Sequence, residues 1–442
     1  MAVAALLLVG WSASAQNLSL EDCRHIASGE NAKIKNADLD ILSAKAQKQE
    51  AMSMWFPSVS VQGMGFRAWD PLLKLDLKDF TGNSDAAAGF NYYADYASNA
   101  YGFKTSINAL DYAYVASAVV VQPIFAGGRI ANGNRLASLG VKAAETQRSL
   151  QQREALDGVD EKYWQVVSLQ DKRETLDQAL SMLDRLGQDV TNAYQAGLAL
   201  DTDTLKVQKE RNKLLLDKMR VESGLRLSKT DLLNYIGYTP EDLDALTLTD
   251  ELASFLPPES YYMDPAEVAS GTQEAQLLEM QVQAASLKKK MTVGEALPQV
   301  AVGATYGYGR YIREPEWNGI AFATVSIPIT DWWKTGAKAR RCEYEKQKAA
   351  NDRDYLNRQL ELKVDAQWSK LCTAWMALEV ANDNVSIAEL AESRLHDLYE
   401  VGGATLSELL MAQVDLRTSR SELVDAQIAY RMAIEEYTSL AE

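Results

Sequence analysis

The sequence predicts a mainly α protein with four β-strands, built as two copies of one unit. Three observations carry that reading. One register of 205 residues relates Pro123 to Pro328, Arg135 to Arg340, Tyr194 to Tyr399, Gly197 to Gly402, Leu205 to Leu410 and Gln208 to Gln413. Six segments rich in Ala, Gln, Lys, Glu and Leu, at 18–54, 130–193, 202–236, 265–295, 335–398 and 406–441, have helix-forming composition, with no proline except Pro265 at a start. Four shorter segments, 58–66, 117–125, 299–308 and 320–329, read as strands.

The chain opens MAVAALLLVGWSASAQ, an apolar run ending in Ala13-Ser14-Ala15, the small-x-small pattern of a secretory cleavage site. Residues 1–15 are expected to be a signal peptide, although the basic residues that usually precede the apolar core are missing. The first unit then covers 16–239, a connector 240–264 and the second unit 265–442. Upstream of the strands the offset changes. WFPSVSVQG at 55–63 matches ALPQVAVGA at 296–304, with Pro57 and Pro298 separated by 241. The extra residues of the first copy fall in 67–116, a stretch rich in Asp, Asn, Gly and Tyr that reads as a long loop. Its tyrosines, Tyr92, Tyr93, Tyr96 and Tyr101, suit packing of that loop or an external partner.

Composition excludes several functions. With 47% apolar residues the 442-residue chain is ordered, and a formal charge of −16 opposes nucleic-acid binding, which needs a Lys/Arg surplus. Three cysteines form no disulfide framework, and Cys342 and Cys372, on one expected helix, lie about 45 Å apart. Cys23 is not at the expected cleavage position, so a lipid anchor there is not expected. The two histidines, His25 and His396, fit no metal-ligand spacing; Glu392 and His396 share a helix face and read as a solvated pair. No phosphate loop, nucleotide fingerprint or nucleophile motif occurs, so no catalysis, metal or cofactor is expected.

No stretch after the first residues is apolar enough for a membrane-spanning helix. The strands are the other route. In 299–308, Val300, Val302, Ala304, Tyr306 and Tyr308 alternate with Ala301, Gly303, Thr305 and Gly307, so one face is greasy and the other small. That pattern fits a bilayer-spanning strand, with Val300, Val302 and Tyr306 toward lipid, and equally a half-buried strand of a soluble sheet. In hydrocarbon a sheet must close, because unpaired edge groups are too costly there. Four strands do not close alone, whereas three protomers supply a barrel of twelve, which makes a homotrimer the simplest solution. Pro123 and Pro328 are expected where a strand leaves the sheet and needs no further donor, and Gly127 and Gly128 where the chain swings into a helix. Trp332 and Trp333 at the second corner suit an interfacial aromatic girdle or packing beneath a turn.

QPIFAGGRIANGNR after an apolar strand, the paired turns AYQAGLALDTDTLKVQ and LYEVGGATLSELLMAQ, and the 205-residue offset resemble the TolC-type outer-membrane efflux proteins. The resemblance covers nearly the whole mature chain. It implies a trimeric duct with a shared twelve-stranded transmembrane β-barrel, its long antiparallel helical hairpins forming a periplasmic α-barrel. It further implies partnership with a periplasmic adaptor and an inner-membrane transporter, no reaction of its own, and an outer-membrane location. Tyr194, Gly197, Leu198, Tyr399, Gly402 and Gly403 would lie at the periplasmic tip, where the adaptor docks. Asp203, and its counterpart Glu408, would form rings of three carboxylates that constrict the pore; equally, both sit in first turns of helices, where the dipole favours an acid. Where some members have a tethering arginine and a second pore acid, this chain has Ala404 and Met411, so the resemblance leaves the gating mechanism open. The competing reading is a secreted or surface-attached helical coiled-coil interaction protein without a pore.

Overall fold

The computed structural model describes residues 17–70, 73–76, 85–102, 106–109, 112–239, 247–248, 255–310 and 314–441; the expected signal peptide and much of the connector lie outside them. Element order is β1 (Asn17–Leu18), α1 (Leu20–Glu30), α2 (Ala32–Ser53), β2 (Ser58–Arg67), β3 (Leu73–Asp76), α3 (Asp85–Tyr101), β4 (Ser106–Ala109), β5 (Tyr112–Ala126), α4 (Arg129–Gln195), α5 (Asp201–Ile236) and β6 (Thr247–Leu248). It continues with α6 (Pro265–Gly271), α7 (Gln273–Gly294), β7 (Gln299–Arg310), β8 (Glu316–Ser326), α8 (Trp332–Glu400) and α9 (Leu406–Thr438). The order helix, strand, strand, very long helix, helix thus occurs twice.

Two compact units divide the chain, and each draws on both halves of the sequence. One gathers the described residues of 1–44 with 140–282 and 348–442, and the other holds 45–139 and 283–347. The first is helical and packs by sevens. Val364, Leu371 and Leu378 are buried on α8, Leu176, Leu183 and Val190 on α4, and Val207 and Leu214 on α5. A seven-residue apolar repeat keeps one seam of a long helix facing its neighbour, as in a left-handed coiled coil. Buried tyrosines then fasten non-helical chain to this frame. The Tyr163 hydroxyl donates to the Leu18 carbonyl at 3.2 Å, Tyr430 donates to Leu256 at 2.6 Å, and the Tyr437 hydroxyl accepts the Met263 N–H at 3.0 Å.

Composition predicts one helix over 18–54 and one over 265–295, but each is broken once. Asn31 leaves helical geometry at φ −62°, ψ 129°, and Thr272 does so at φ −61°, ψ 152°. These positions are 241 apart, the offset of Pro57 and Pro298. Each break is held by its own polar side chain. The Asn31 amide donates to the Tyr235 carbonyl at 2.8 Å, and Thr272 Oγ1 accepts the Ala275 N–H at 3.2 Å. Such residues offer the backbone a local alternative to the helix.

The helical unit also carries a polar cluster. Arg24 on α1 donates from Nε to Asp160 Oδ1 at 2.8 Å, from Nη2 to Asp160 Oδ2 at 2.5 Å, and to Glu435 at 3.1 Å, joining α1, α4 and α9. Burial pushes the Asp160 carboxyl up despite that guanidinium. One turn away, burial and then the Asp160 charge push Asp157 up to about 6. A carboxylate raised on folding holds its proton between about pH 4 and 6 while the unfolded chain releases it, so its contribution to stability falls as pH rises through that window and is flat above it. Full conversion of the shift gives about 3 kcal/mol, and partial solvent exposure of Asp157 reduces it to about 1–2 kcal/mol. Asp157→Asn is therefore expected to stabilise the protein at pH 7 by about that amount and to flatten the pH 4–6 slope, as read from denaturant midpoints.

The second unit contains a four-stranded antiparallel sheet in the order β2-β5-β7-β8. The segment 67–116, expected as loop, instead contains β3 and β4, paired antiparallel, and α3 of 17 residues. Its alanines favour helix, a signal masked by the surrounding Asn, Asp and Gly. Tyr92, Tyr93, Tyr96 and Tyr101 are exposed on α3, and Tyr92 and Tyr93 meet edge to face at 5.7 Å.

Candidate functional site: sheet faces, corners and helical turns

Strand register sorts the sheet into two unlike faces. Val59 pairs with Val120, Val61 with Ala118, Ala118 with Tyr306, Val302 with Ala323, and Tyr308 with Trp317. These residues share one face, joined by Val300, Val325 and Tyr114; it is apolar along the middle of the strands, with Gln122 toward one end and Arg67 and Arg310 at the other. Val302 is 41% and Tyr306 60% exposed, while Val300 is half-buried. The opposite face is mixed: Ser60, Gln62, Ser117, Thr305, Gly307 and Asn318 alternate with Met64, Phe66, Val115, Val119, Val121, Ile320 and Phe322. It lines an open cavity of about 780 Å³ that also takes in Glu314 and Glu316. Alternation over ten to twelve residues, with one largely apolar face and one that carries most of the polar side chains, matches the lipid-and-lumen pattern of a barrel strand.

Aromatic side chains fold over glycines to fill both faces. Tyr306 lies against Gly319, where an added Cβ would approach its ring to 3.0 Å, and Phe322 lies against Gly303, where the approach would be 2.4 Å. Tyr306 also stacks on Trp317 at 5.4 Å. The outer strands β2 and β8 have only one partner each, so their free edges present unpaired backbone groups.

At the corners the structure corrects one expectation. The strand does not stop at Pro123: β5 runs on to Ala126, with the register shifting between Pro123, opposite Ala301, and Phe125, opposite Val300. A bulge absorbs the missing donor. In the second copy β8 starts earlier than expected, at Glu316, and ends at Ser326, so Pro328 lies beyond the strand. Gly127 and Gly128 have φ of 63° and 74°, a region that favours glycine. A Cβ on Gly127 would sit 2.1 Å from the Gly294 carbonyl oxygen, and one on Gly294 would sit 2.3 Å from that of Gly127. Gly294, at the end of α7, is the partner that sequence reasoning missed; only the three-dimensional approach of the two backbones marks it.

Trp332 and Trp333 are 51% and 90% exposed. The Trp332 indole donates to the Ala296 carbonyl at 3.1 Å, and in the first copy Gln122 donates to the Trp55 carbonyl at 3.0 Å. Positions 55 and 296 are 241 apart, so one equivalent carbonyl is satisfied at both corners.

The helical turns occupy the other unit, and they repeat bond for bond. Gly197 has φ 76° and Gly402 φ 74°. Gly197 donates to the Tyr194 carbonyl at 2.9 Å and Leu198 to Ala193 at 2.8 Å; Gly402 donates to Tyr399 at 3.1 Å and Gly403 to Leu398 at 2.7 Å. This is the paired closure of a Schellman turn. Beyond each turn the expected acid caps the next helix. Asp203 accepts the Leu200 N–H at 3.3 Å and pairs with Lys206 at 2.9 Å, while Glu408 accepts the Thr405 N–H at 2.7 Å and the Thr405 hydroxyl at 2.8 Å. The Lys206 bond chiefly holds the Asp203 carboxyl below its ordinary value, and the Thr405 backbone bond does so for Glu408. Because Thr405 Oγ1 accepts the Glu408 N–H in return, this box is reciprocal. Thr405→Ala is expected to cost about 1 kcal/mol, measurable as a lowered denaturation midpoint.

Side chains around the turns divide sharply. Tyr399 packs against a core of Leu176, Leu180, Leu183, Leu406 and Leu409. Tyr194, Leu198 and Leu200 are 46%, 84% and 69% exposed, and Val401 and Met411 are 80% and 68% exposed. His396 approaches Glu400 at 3.6 Å rather than Glu392. Among the described residues no cluster of metal-binding side chains occurs, and no helix is long and apolar enough to cross a membrane.

Residues 24–237 match the model of the outer membrane efflux protein family. That segment is just under half of the chain, and it is similar to the outer membrane efflux proteins. The efflux-protein fold extends over nearly all of the chain. The outer-membrane channel OprN superposes with a TM-score of 0.74 at 15% identity, over 96% of this chain and 89% of that one. The Campylobacter jejuni CmeC outer membrane channel does so with a TM-score of 0.73 at 12% identity, over 96% and 85%, and the outer membrane protein VceC of Vibrio cholerae with 0.71 at 14%, over 96% of each. No curated protein matches by sequence. The family match and the channel folds together support an outer-membrane efflux channel, and nothing in them supports the poreless interaction protein.

Proposed function

We propose that three copies of this efflux protein close into one duct, each giving four strands to a twelve-stranded barrel. The observation that carries this reading is a four-stranded sheet, largely apolar on one face and mixed polar and apolar on the other, with two free edges. The strands alternate in direction, so β8 of one copy meets β2 of the next antiparallel, and the ladder continues without a fault. Closure satisfies every edge group in hydrocarbon. Val300, Val302 and Tyr306 then face lipid, and the Gln62, Ser117, Thr305 and Asn318 face lines the lumen.

The helical hairpins would receive substrate from an inner-membrane transporter through a periplasmic adaptor. Exposed Leu198, Leu200 and Val401 beside Gly197, Gly402 and Gly403 offer apolar contacts at the turns, with Tyr194 at their edge and Tyr399 as support beneath. Two sequence units, 16–239 and 265–442, would place two such hairpins per copy around the tip. Asp203 and Glu408 would serve as caps first, and as a charged constriction only if threefold symmetry brings them together.

Native mass spectrometry of the chain in mild detergent tests the assembly. A detergent-bearing trimer is expected; a detergent-free monomer would overturn the duct. Val302→Arg is expected to cost about 2–4 kcal/mol per copy near mid-bilayer and to deplete the trimer from membranes, whereas Thr305→Arg on the other face leaves the trimer assembled. Glu408→Gln keeps the capping geometry and removes the charge. Altered single-channel cation preference in that variant would assign the pore role, and unchanged preference would leave Glu408 a cap.

A further inference from the structure

The end of the sheet away from its flanking helices carries opposite charge on its two faces. On the mixed face Glu314 and Glu316 line the cavity. On the apolar face Arg67 of β2 lies opposite Tyr112 of β5, and Arg310 of β7 lies opposite Tyr114. The Arg310 guanidinium carbon sits 4.1 Å from the centroid of the Tyr112 ring. Among the described residues neither arginine has an ion-pair partner. Two inter-strand spacings, across β5, and two residues along the strands separate them, which places their Cα atoms about 12 Å apart with Tyr112 between.

We propose that Arg67 and Arg310 form a binding site for the phosphate group of an anionic lipid in the outer leaflet. The inference rests on the reading that the apolar face meets lipid. Inward of the two arginines stands an aromatic band of Tyr114, Tyr306, Tyr308 and Trp317, the last 64% exposed, and beyond it come Ala304, Ala321, Val120 and Val302. A ligand fitting this column has an anion at one end and a long apolar body along the strands. That is a phosphorylated amphiphile and not a free anion. The planar guanidinium fork matches two phosphate oxygens at once, and stacking on Tyr112 holds the Arg310 fork before the ligand arrives. Glu314 and Glu316, on the other face, are separated from it by the sheet.

The test uses the purified full chain in mild detergent, followed by native mass spectrometry with phosphatidic acid, with phosphatidylcholine of the same chains, and with inorganic phosphate as competitor. The wild type is expected to retain phosphatidic acid several-fold over phosphatidylcholine, without competition from inorganic phosphate. In R67Q/R310Q that preference is expected to vanish at unchanged oligomeric mass, and R67K/R310K, which keeps charge without the fork, to fall between. Equal preference in R67Q/R310Q, or full displacement by inorganic phosphate, would overturn the lipid site. A detergent-bearing trimer with no phosphate preference would overturn the site alone, whereas a detergent-free monomer would overturn the membrane reading and the site with it.

Discussion

Gly127→Ala is expected to abolish accumulation of the folded protein. Two effects act at one atom. The backbone there has φ 63°, which an alanine adopts at a cost of about 1 kcal/mol or more, and the new Cβ would lie 2.1 Å from the Gly294 carbonyl oxygen. Nothing flexible stands at that spot. The obstacle is backbone at the end of α7, so relief requires moving the helix or the strand-to-helix corner, and the total is expected to exceed about 3 kcal/mol. Gly133→Ala is the matched control. Its Cβ would meet only Met291 Cε at 3.7 Å inside α4, so it is expected to be neutral or slightly stabilising. Heat-resistance on a gel and the yield of membrane-extracted protein report both. A Gly127→Ala protein that accumulates normally would show that the corner bends freely.

Arg24→Ala is expected to be the other severe substitution, at about 3–5 kcal/mol. The Asp160 side chain is only 8% exposed and takes both its charged contacts from Arg24. Without the guanidinium, that carboxylate is left uncompensated beside Asp157 and Glu435, and it must take up a proton or draw in water. The acid-side profile should change accordingly. With its countercharge gone, the Asp160 carboxyl rises further, so the variant is most deficient at neutral pH and recovers as pH falls through that raised value. Arg24→Met combined with Asp160→Asn removes both charges and should restore most of the loss. Denaturant midpoints at pH 5 and 7.5 distinguish these outcomes; equal loss at both pH values would mean that packing, and not the stranded charge, dominates.

What the sequence made readable follows from which forces are local. The alternation of Val300, Val302, Tyr306 and Tyr308 records a two-faced strand, and the offset of 205 located both turns because a left-handed glycine is a demand of the backbone itself. Asp203 and Glu408 were found by position, and their carboxylates accept the Leu200 and Thr405 N–H groups at the helix starts. Other features were hidden because their cause lies elsewhere in the chain. Gly294 is required by Gly127, which lies 167 positions away. The break at Asn31 is a single polar residue inside helix-forming text, set apart by its bond to the distant Tyr235 carbonyl, whereas Thr272 bonds its neighbours Ala269 and Ala275 in a local motif that composition does not reveal. Pro123 was expected to end a strand because proline lacks a donor, yet a bulge let the strand pass it.

The free edges of β2 and β8 set the order of events during biogenesis. In the proposed trimer a single chain has no hydrocarbon-compatible state, so insertion would follow or accompany encounter with other copies, and the barrel-forming step would be higher than first order in protein concentration. Dilution should therefore slow maturation even where each chain's helices are already formed. Until encounter, the strands remain a sticky aqueous intermediate, and that waiting period is when a periplasmic chaperone would matter most.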